Sequence, residues 1–307
     1  MSPTSYRFHQ LDVFTAQPLA GNALAVFPDG RGLSDDRMQA LAKEMNLSET
    51  TFVLPSERAT RRIRFFTPTA EIPLAGHPTI GTWWLLAELR ELDLEHAGVG
   101  EVTQETGAGV LPVEIEMKDG HPTAVHMVQA RPRFGTWVAD TAPLSAALGG
   151  DIGFVKNAPK PQIVSTGLPQ LMVPIDSLDA LRALPSGGTG GQLATYLRDL
   201  GSDCAMCFTL ETESPEATVH CRMFAPGLGV PEDPATGSAA GALGSYLVHH
   251  GIVDAPAGLA RLIVEQGIEI GRPSRIEVTI SVGEDGEISR VQVGGRAVTV
   301  IEGEVRL

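Results

Sequence analysis

Residues 229–247 read GVPEDPATGSAAGALGSYL, the most informative stretch of the chain for predicting its architecture. The stretch begins with a turn that carries Glu232 and Asp233 ahead of a proline. It then passes through Gly237 and Ser238 into a run of Ala, Gly, Leu and Tyr, which predicts a helix narrow enough to be buried on all sides. The N-terminus of such a helix has unpaired backbone N–H groups and a partial positive charge, so it can bind an anion. A Gly- and Ala-rich helix that only packs closely against a sheet would give much of the same pattern.

The pattern occurs twice in the chain. Residues 64–68 read RFFTP and residues 222–226 read RMFAP, at an offset of 158 (222 − 64). Downstream, Gly76 in PLAGHPTIG corresponds to Gly237 in PATGSAAG at an offset of 161 (237 − 76), so the second copy is slightly longer. Each copy runs strand, proline turn, acidic residue, Gly-polar pair and helix. Repetition of this kind predicts two similar halves related by a pseudo-two-fold axis, with two helix N-termini facing a carboxylated ligand in the cleft between them.

Length and composition indicate an ordinary globular protein with about two domains. The chain has 307 residues, of which 43% are hydrophobic and 20% charged. The formal net charge of −14 argues against nucleic acid or an anionic membrane surface as a partner, because both require a basic surface. Small anionic substrates are not excluded, since local N–H groups can bind them inside an acidic protein.

Membrane and targeting signals are not found in the sequence. The longest apolar runs are far shorter than the ~18 residues that a transmembrane helix needs. The first residues lack the pattern of a signal peptide. We therefore expect a cytoplasmic location.

The three cysteines fit a reducing compartment without a disulfide framework. Cys204 and Cys207 form a C-x-x-C pair, and His220 with Cys221 follow, so a redox pair or a zinc site has to be considered. The segment CAMCFTLET is typical of a strand, in which residues three apart point to opposite faces. Because a redox pair favours a helix N-terminus, buried structural cysteines are the favoured interpretation.

The remaining patterns predict many antiparallel strands and few helices. Ser34 is expected to cap a helix that ends near Asn46, and a second helix, apolar nearly all round, is expected from His77 to about Leu89. Residues 110–117 and 123–129 read as a hairpin, and residues 130–137 as the connection to the second half. These elements predict an α+β fold in two pseudo-symmetric halves, each a mostly antiparallel curled sheet or barrel round a central helix.

The predicted domains are residues 1–128 and residues 129–297. The final strand, about residues 298–307, is a candidate to return to the first half, and the active site is expected in the cleft between the halves.

Three residues are candidates for acid/base chemistry. Glu49, in NLSETTF, precedes an apolar strand, so it is either a turn or capping residue or a general acid/base whose pKa burial raises toward neutrality. His77 begins the first buried helix, where it either has a structural role or contacts a ligand. Asp233 is either a turn carboxylate or a partner for a substrate amine or hydroxyl.

Several motifs together resemble the PhzF family of phenazine-biosynthesis-like proteins. They occur from about Phe14 to the C-terminus, and in chain order they read GNALAVF, NLSETTFV, RFFTPTAEIPLAGHPTIG, ETGAG, MFAPGLGVPEDPATGSAAG, QG, GRPS and VGGRAV. The resemblance implies a diaminopimelate-epimerase-like fold. It also implies a homodimer that binds a small carboxylated substrate and uses no cofactor or metal.

The resemblance also implies residue roles. Epimerases of this fold use two opposed cysteines, but the matching positions here are Ala75 and Thr236, which argues against a two-thiol racemase. The resemblance instead implies that Glu49, with His77 and Asp233, moves a proton between two carbons of a substrate like trans-2,3-dihydro-3-hydroxyanthranilate. The implied substrate-binding residues are Asn22, Gly76, Thr236, Gly237 and Ser238.

Two other functions remain open at this point. One is an amino-acid epimerase or lyase that uses the same scaffold. The other is a small-molecule binding protein without catalytic activity. The stereochemistry of the product would distinguish an epimerase or lyase from an isomerase. A Glu49→Gln variant would distinguish an isomerase from a binding protein.

Overall fold

The computed structural model of the protein describes residues 5–150 and 159–307. The chain forms two compact units, one containing the residues up to Val128 together with Gly294–Leu307, and the other Gln129–Val293. We refer to them as unit 1 and unit 2. Among the described residues, no helix has both the length and the apolar composition needed to cross a membrane.

The elements follow each other along the chain in two comparable series. The first series is β1 (Ser5–Val13), β2 (Asn22–Phe27), α1 (Asp35–Met45), β3 (Glu49–Leu54), β4 (Arg61–Phe66), β5 (Glu71–Ile72), α2 (Gly76–Glu88), β6 (Gly98–Thr106), β7 (Gly109–Lys118) and β8 (His121–Gln129). The second series is β9 (Arg133–Trp137), α3 (Ala142–Leu148), β10 (Gln162–Ser165), β11 (Pro169–Pro174), α4 (Leu178–Ala183), α5 (Gly191–Asp199), β12 (Cys204–Thr209), β13 (Val219–Ala225), β14 (Val230–Asp233), α6 (Gly237–His249), β15 (Leu259–Gln266), β16 (Ser274–Val282), β17 (Ile288–Gly295) and β18 (Ala297–Arg306).

The sheet of unit 1 has the strand order β18-β1-β2-β3-β4-β6-β7-β8. Neighbouring strands are antiparallel except for the pairs β2–β3 and β4–β6, which are parallel. One end of β4 pairs with β6, whereas its other end, at Phe65 and Phe66, pairs with the short strand β5. The C-terminal strand β18 therefore belongs to the sheet of unit 1, where it pairs with the first strand, β1.

The sheet of unit 2 repeats this order of pairings. It runs β9-β10-β11-β12-β13-β15-β16, with parallel pairs only at β11–β12 and β13–β15 among the pairings that the described residues show. The short strand β14 pairs with β13 as β5 pairs with β4. The α+β class and the duplicated topology predicted by the sequence are thus confirmed. Residues 130–137, predicted to be only a connection to the second half, contain an additional strand, β9.

Each sheet curls round one buried helix. In α2 the residues from His77 to Ala87 are buried, and the helix packs against β1, β2, β3, β7 and β18. In α6 nearly every residue is buried, and the helix packs against β10, β11, β15 and β16. Close packing requires small residues: a Cβ at Gly81 would lie 2.6 Å from Leu24 Cδ2. The all-round apolar pattern read from the sequence therefore marks the two central helices correctly.

Helix α1 covers the other face of the unit 1 sheet. Its N-cap is Ser34, whose side chain accepts a hydrogen bond from the backbone N–H of Arg37, and the helix ends at Asn46; both were predicted. Asn46 adopts the left-handed conformation. Its apolar face packs on a core that includes stacked rings of Phe27 and Phe52, with centroids 4.9 Å apart. Burying such aromatic pairs stabilises the sheet by about 1 kcal/mol beyond the burial of their area.

The additional length of the second motif copy is located in one turn. The strand β13 continues into a 3₁₀ turn at Pro226–Leu228, and Gly229 follows with φ +77° before β14 begins. The first copy passes from β4 to β5 without such a turn. Beyond this turn, Glu71 corresponds to Glu232 at an offset of 161 (232 − 71). The same offset separates Gly76 from Gly237, the first residues of α2 and α6.

Candidate functional site

Strand β3 directs Glu49 toward helix α2. Side chains alternate along a strand, so Glu49 and Thr51 face the same side of the sheet. Thr51 Oγ1 lies 2.8 Å from Thr82 Oγ1 in α2, and Glu49 Oε2 lies 3.4 Å from His77 Nε2 in the first turn of the same helix. The strand period and the packing of α2 together place the acid beside the imidazole.

The carboxyl group of Glu49 is largely withdrawn from solvent. Its side chain is 20% exposed, and Oε2 is buried and makes no hydrogen bond among the residues that the structure describes. Burial raises the pKa of Glu49, and a hydrogen bond from Ser48 opposes the shift. A carboxyl group whose pKa is raised toward neutrality can both accept and return a proton, as a general acid/base must. The structure places Glu49 within a strand, so it does not cap a helix.

The N-terminus of α2 has the properties of an anion site. Its N-cap is Ala75, which offers no side-chain cap, and Gly76 and His77 are its first two residues. The backbone groups of this turn contribute the positive end of the helix dipole. His77 is only 7% exposed, so its ring lies against Glu49 within the protein.

A third polar side chain lies near this pair. Asn22 begins β2, is 3% exposed, and accepts a hydrogen bond at Oδ1 from Ser48 Oγ over 3.3 Å. Since Ser48 directly precedes Glu49, this bond ties the start of β2 to the start of β3. Unit 1 therefore brings together four of the residues predicted from the sequence: Asn22, Glu49, Gly76 and His77.

In unit 2, a network of hydrogen bonds orients the carboxylate of Asp233. Asp233 ends β14, and Thr236, the N-cap residue of α6, donates a hydrogen bond from Oγ1 to Asp233 Oδ2. Gln266 Nε2 donates to Thr236 Oγ1 over 3.1 Å and to the carbonyl oxygen of Asp233 over 2.6 Å, and Gln266 Oε1 accepts from the N–H of Thr236 over 3.2 Å. The hydroxyl of Thr236 is thus engaged in holding Asp233.

Gln266 was not among the residues predicted for the site. It is fully buried at the end of β15 and makes three hydrogen bonds to the segment that leads into α6. The sequence contains a weak signal for it, because a Gln-Gly pair closes an alternating strand at Gly267. A single pair of letters gives no indication of which loop the amide contacts.

The first residues of α6 are held by two further glutamines. Gln170 Nε2 donates to Ser238 Oγ over 3.0 Å, and Gln129 Nε2 donates to the carbonyl oxygen of Gly237 over 3.0 Å. Thr166 Oγ1 in turn donates to Gln129 Oε1 over 2.6 Å. These contacts join residues far apart in sequence, so no local motif could have identified them.

The two acidic residues of the central motif have different environments. Glu232 is buried and forms an ion pair with Arg222, whereas the neighbouring Asp233 is half-buried. Of the residues predicted for one site, those of β2, β3 and α2 belong to unit 1, and Asp233, Thr236, Gly237 and Ser238 belong to unit 2.

The cysteines are buried structural residues, as predicted. Cys204, Cys207 and Cys221 are all unpaired and buried. Burial raises the pKa of Cys204 and of Cys207 to about 12, so neither thiol forms the reactive thiolate at neutral pH. Within the described ranges, no three His, Cys, Asp or Glu side chains are grouped as a metal site would require.

Comparison with known proteins places this chain in a family. The PhzC–PhzF family, described as phenazine biosynthesis-like protein, matches residues 11–303. A curated relative from Mesorhizobium japonicum, named uncharacterized isomerase mll1393, is 38% identical over 96% of this chain and 96% of its own length. The trans-2,3-dihydro-3-hydroxyanthranilate isomerase of Pseudomonas aeruginosa is 36% identical over 98% of this chain and 100% of its own length.

A solved structure agrees with these matches. The crystal structure of a phenazine biosynthesis protein of the PhzF family from Bacillus anthracis superimposes with a TM-score of 0.88 at 30% identity, covering 99% of this chain and 100% of that one. Match length, identity and fold agree over nearly the whole chain. The protein therefore belongs to the PhzC–PhzF family of phenazine biosynthesis-like proteins.

Proposed function

We propose that the protein is a cofactor-independent isomerase that moves a proton on a small carboxylated substrate, with Glu49 as the general acid/base. The observation that carries this proposal is a mostly buried carboxyl group, with a raised pKa, 3.4 Å from the imidazole of His77. In the proposed reaction the carboxylate of Glu49 removes a proton from one carbon. The electron pair of that C–H bond moves into the adjacent π system, and the protonated Glu49 returns the proton to a second carbon.

The neighbours of Glu49 support this role. The proximity of His77 allows it to donate to or accept from a substrate oxygen as charge develops, and the uncapped start of α2 adds the positive end of a helix dipole. Preorganised donors of this kind stabilise negative charge on a substrate without reorganisation during the reaction. One acid/base residue suits the transfer of a proton across an allylic system, whereas inversion at one carbon requires a group on each face.

We further propose that Asp233 and Ser238 contact a small carboxylated substrate. Asp233 is suited to accept a hydrogen bond from an amine or hydroxyl, because Thr236 and Gln266 fix its orientation. Ser238 and Gly237 begin α6, whose start likewise has no side-chain cap, so this segment is the proposed partner of a carboxylate.

The class of substrate follows from the relatives. The Pseudomonas aeruginosa relative carries the name of an isomerase that acts on trans-2,3-dihydro-3-hydroxyanthranilate. We propose that this protein acts on that compound or on a similar cyclic amino- or hydroxy-carboxylate. From the resemblance to the PhzF family we propose a homodimer, which sedimentation analysis of the purified protein would test by its mass.

The test is proton exchange measured in D₂O with trans-2,3-dihydro-3-hydroxyanthranilate. We expect the wild-type protein to convert the compound, and to incorporate deuterium at the carbon that receives the proton to the extent that the protonated Glu49 exchanges with solvent before it returns the proton. Removal of a general acid/base lowers the reaction rate about 10²–10⁴-fold. The turnover rate of Glu49→Gln should therefore fall to that extent, while the variant still binds the compound. The matched control is Glu44→Gln, since Glu44 is an exposed glutamate on α1.

Other outcomes would reject the proposal. Equal turnover by Glu49→Gln and wild type would exclude Glu49 as the acid/base. Inversion at one carbon without migration of the double bond would identify an epimerase instead. Binding with neither conversion nor deuterium exchange in the wild-type protein, tested over a panel of cyclic carboxylates, would identify a binding protein.

A further inference from the structure

A second buried histidine lies in unit 2, outside the residues assigned to the reaction. His220 in β13 is 0% exposed. Its Nδ1 lies 2.8 Å from Glu265 Oε1, and its Nε2 lies 2.8 Å from Glu269 Oε1. A buried ring between two carboxylates is an uncommon arrangement, because charged groups are expensive to bury unless they are paired.

The two contacts are those expected of a protonated ring. An ionised carboxylate only accepts hydrogen bonds, and a neutral imidazole can donate from only one of its nitrogens. Both contacts of His220 are hydrogen bonds to ionised carboxylates only if both nitrogens carry a proton. His220 is then an imidazolium, and the three side chains form a charged cluster.

The two carboxylates tie different segments to the ring. Glu265 pairs with His220 across β13 and β15, and it also accepts hydrogen bonds from the backbone N–H groups of Glu213 and Ser214 over 2.6 and 3.1 Å. Glu269 lies in the connection between β15 and β16. The ring therefore joins the loop before β13 to the loop after β15.

The second of these loops contacts the segment that carries Asp233. Gln266 is adjacent to Glu265 in sequence, and its amide binds both Thr236 and the backbone of Asp233. At Gly267, with φ +77°, a Cβ would lie 2.5 Å from the carbonyl oxygen of Pro234, so the loop and the segment are in close contact. A displacement of the loop would consequently displace Asp233.

We propose that His220, as an imidazolium held between two carboxylates, is a positioning residue that fixes Gln266 and through it Asp233. The expected effect of His220 on turnover rests on the proposed function. The arrangement of the loop and the charge of the ring can be tested without any substrate.

The charged surroundings of His220 are mixed. Glu265 and Glu269 face the two ring nitrogens, Cys221 is the adjacent residue on β13, and Arg222 and Arg182 act on Glu269 from β13 and α4. Burial by itself lowers the pKa of His220, but the hydrogen bonds to Glu269 and Glu265 outweigh it, and the pKa is raised. For Glu269, burial acts upward, but the bond from His220 outweighs it, and the pKa is lowered.

The first experiment measures the charge of the ring by ¹⁵N NMR of histidine-labelled protein at about pH 8, where an unperturbed histidine is neutral. We expect both ring nitrogens of His220 to remain protonated, whereas free histidine is neutral at this pH. A neutral His220 at this pH would overturn the proposal. This result does not depend on whether the protein is an isomerase.

The second experiment compares His220→Gln and Glu269→Gln with the control His121→Gln. Backbone hydrogen exchange should become at least tenfold faster at Asp233, Ala235 and Thr236 in the first two variants. The value of kcat/KM should fall about 10- to 100-fold, as expected for misplaced functional groups. Glu269→Gln keeps the ring and the shape of its partner, so it serves if His220→Gln does not fold. It should also move the alkaline limb of the kcat/KM profile to lower pH, because one of the charges that stabilise the imidazolium is removed.

The possible failures can be told apart. Unchanged exchange at residues 233–236 in both variants would reject the positioning role even if turnover fell. Faster exchange in a protein whose turnover is insensitive to Glu49→Gln would reject the proposed reaction but support the positioning role.

Discussion

Arg222 and Glu232 form a two-point ion pair in the interior of unit 2. Arg222 Nε donates to Glu232 Oε1 over 2.9 Å, and Nη2 donates to Oε2 over 2.7 Å, while the side chains are 3% and 2% exposed. Arg222 Nη1 also donates to the carbonyl oxygens of Leu181 and Leu184 at the end of α4. Because Asp233 directly follows Glu232, this ion pair anchors the strand that carries a candidate functional residue.

The repeat contains an equivalent pair in unit 1. Arg64 donates from Nε and Nη2 to the two carboxylate oxygens of Glu71 over 2.7 and 2.6 Å. Each arginine also lies over the phenylalanine two positions later, with Cζ 5.1 Å from the ring centroid of Phe66 or Phe224. The pairs differ in burial, since Glu71 is 43% exposed, and Arg64 also forms an ion pair with Asp35. The exposed pair is a comparison for the buried one.

We predict that Glu232→Gln destabilises the protein more than Glu71→Gln. The first change leaves the guanidinium of Arg222 buried without its counter-charge, which typically costs about 3–5 kcal/mol. The second breaks a pair that water can reach on one side, for which about 1 kcal/mol is expected. The unfolding free energy from urea titration measures both. Equal losses would show that burial does not set the strength of these pairs.

For Glu49 we predict an effect of pH on stability. Its folded-state pKa is raised by burial, so the stability associated with the neutral group is present below the unfolded pKa and is lost as the pH rises through the folded value. Glu49→Gln cannot ionise. The stability of the variant relative to wild type should therefore increase as the pH rises from about 4 to 8. The total increase should be about 1.4 kcal/mol for each unit by which the folded-state pKa of Glu49 exceeds its unfolded-state pKa.

Thermal unfolding over this pH range measures the difference. Glu44→Gln provides the reference for the loss of a surface charge on α1. A constant difference between wild type and Glu49→Gln at every pH would contradict the prediction.

Close packing of the central helix predicts that Gly244→Ala is destabilising. A Cβ at this position would lie 2.7 Å from Val278 Cγ1 in β16, so the substitution overpacks the core at a cost of about 1–3 kcal/mol. This cost should exceed the gain of about 1 kcal/mol in helix propensity. Adding Val278→Ala should recover part of the loss. Chemical denaturation of the single and double variants provides the measurement.

The matched control is Gly191→Ala. Gly191 begins α5, and a Cβ there would meet no atom within 4 Å. Its substitution should be neutral or slightly stabilising. If both alanines had the same effect, the close approach of β16 to α6 would not be the cause.

We predict that the cysteines do not react in the folded protein. Burial holds the pKa of Cys204 and Cys207 at about 12 and raises that of Cys221 as well, so little thiolate is present at pH 8. A chromogenic disulfide reagent should label none of the three thiols before urea is added, and all three afterwards. Rapid labelling of the folded protein at Cys204 or Cys207 would instead indicate a redox-active pair.

Much of the fold could be predicted because its signals are local. The two buried helices are apolar on every side, and the cap at Ser34 with the left-handed residue at Asn46 delimits α1. Strand β9 was missed because its residues are mostly exposed, so its sequence lacks the apolar alternation that identifies a strand. It is held by its pairing with β10, which is a tertiary contact.

The candidate site was predictable only in part, for a related reason. Asp233 stands in a short motif beside a proline, and Glu49 directly precedes an apolar strand, so a chemical role can be inferred from the neighbouring residues. Gln266 and Gln170 contact Thr236 and Ser238 across long separations in sequence. The sequence around a glutamine in a strand does not indicate which residue its side-chain amide binds.

By itself the amino-acid sequence determined the duplicated topology, the two all-apolar helices and the acids that stand beside them, because each depends on periodicity or on turn residues close together in the chain. Tertiary structure alone decided which acid is buried in an ion pair and which is oriented by a threonine and a glutamine. It also brought two carboxylates from later in the chain to the ring of His220. Electrostatic environment depends on the distance between groups in space, and spacing along the chain does not specify that distance.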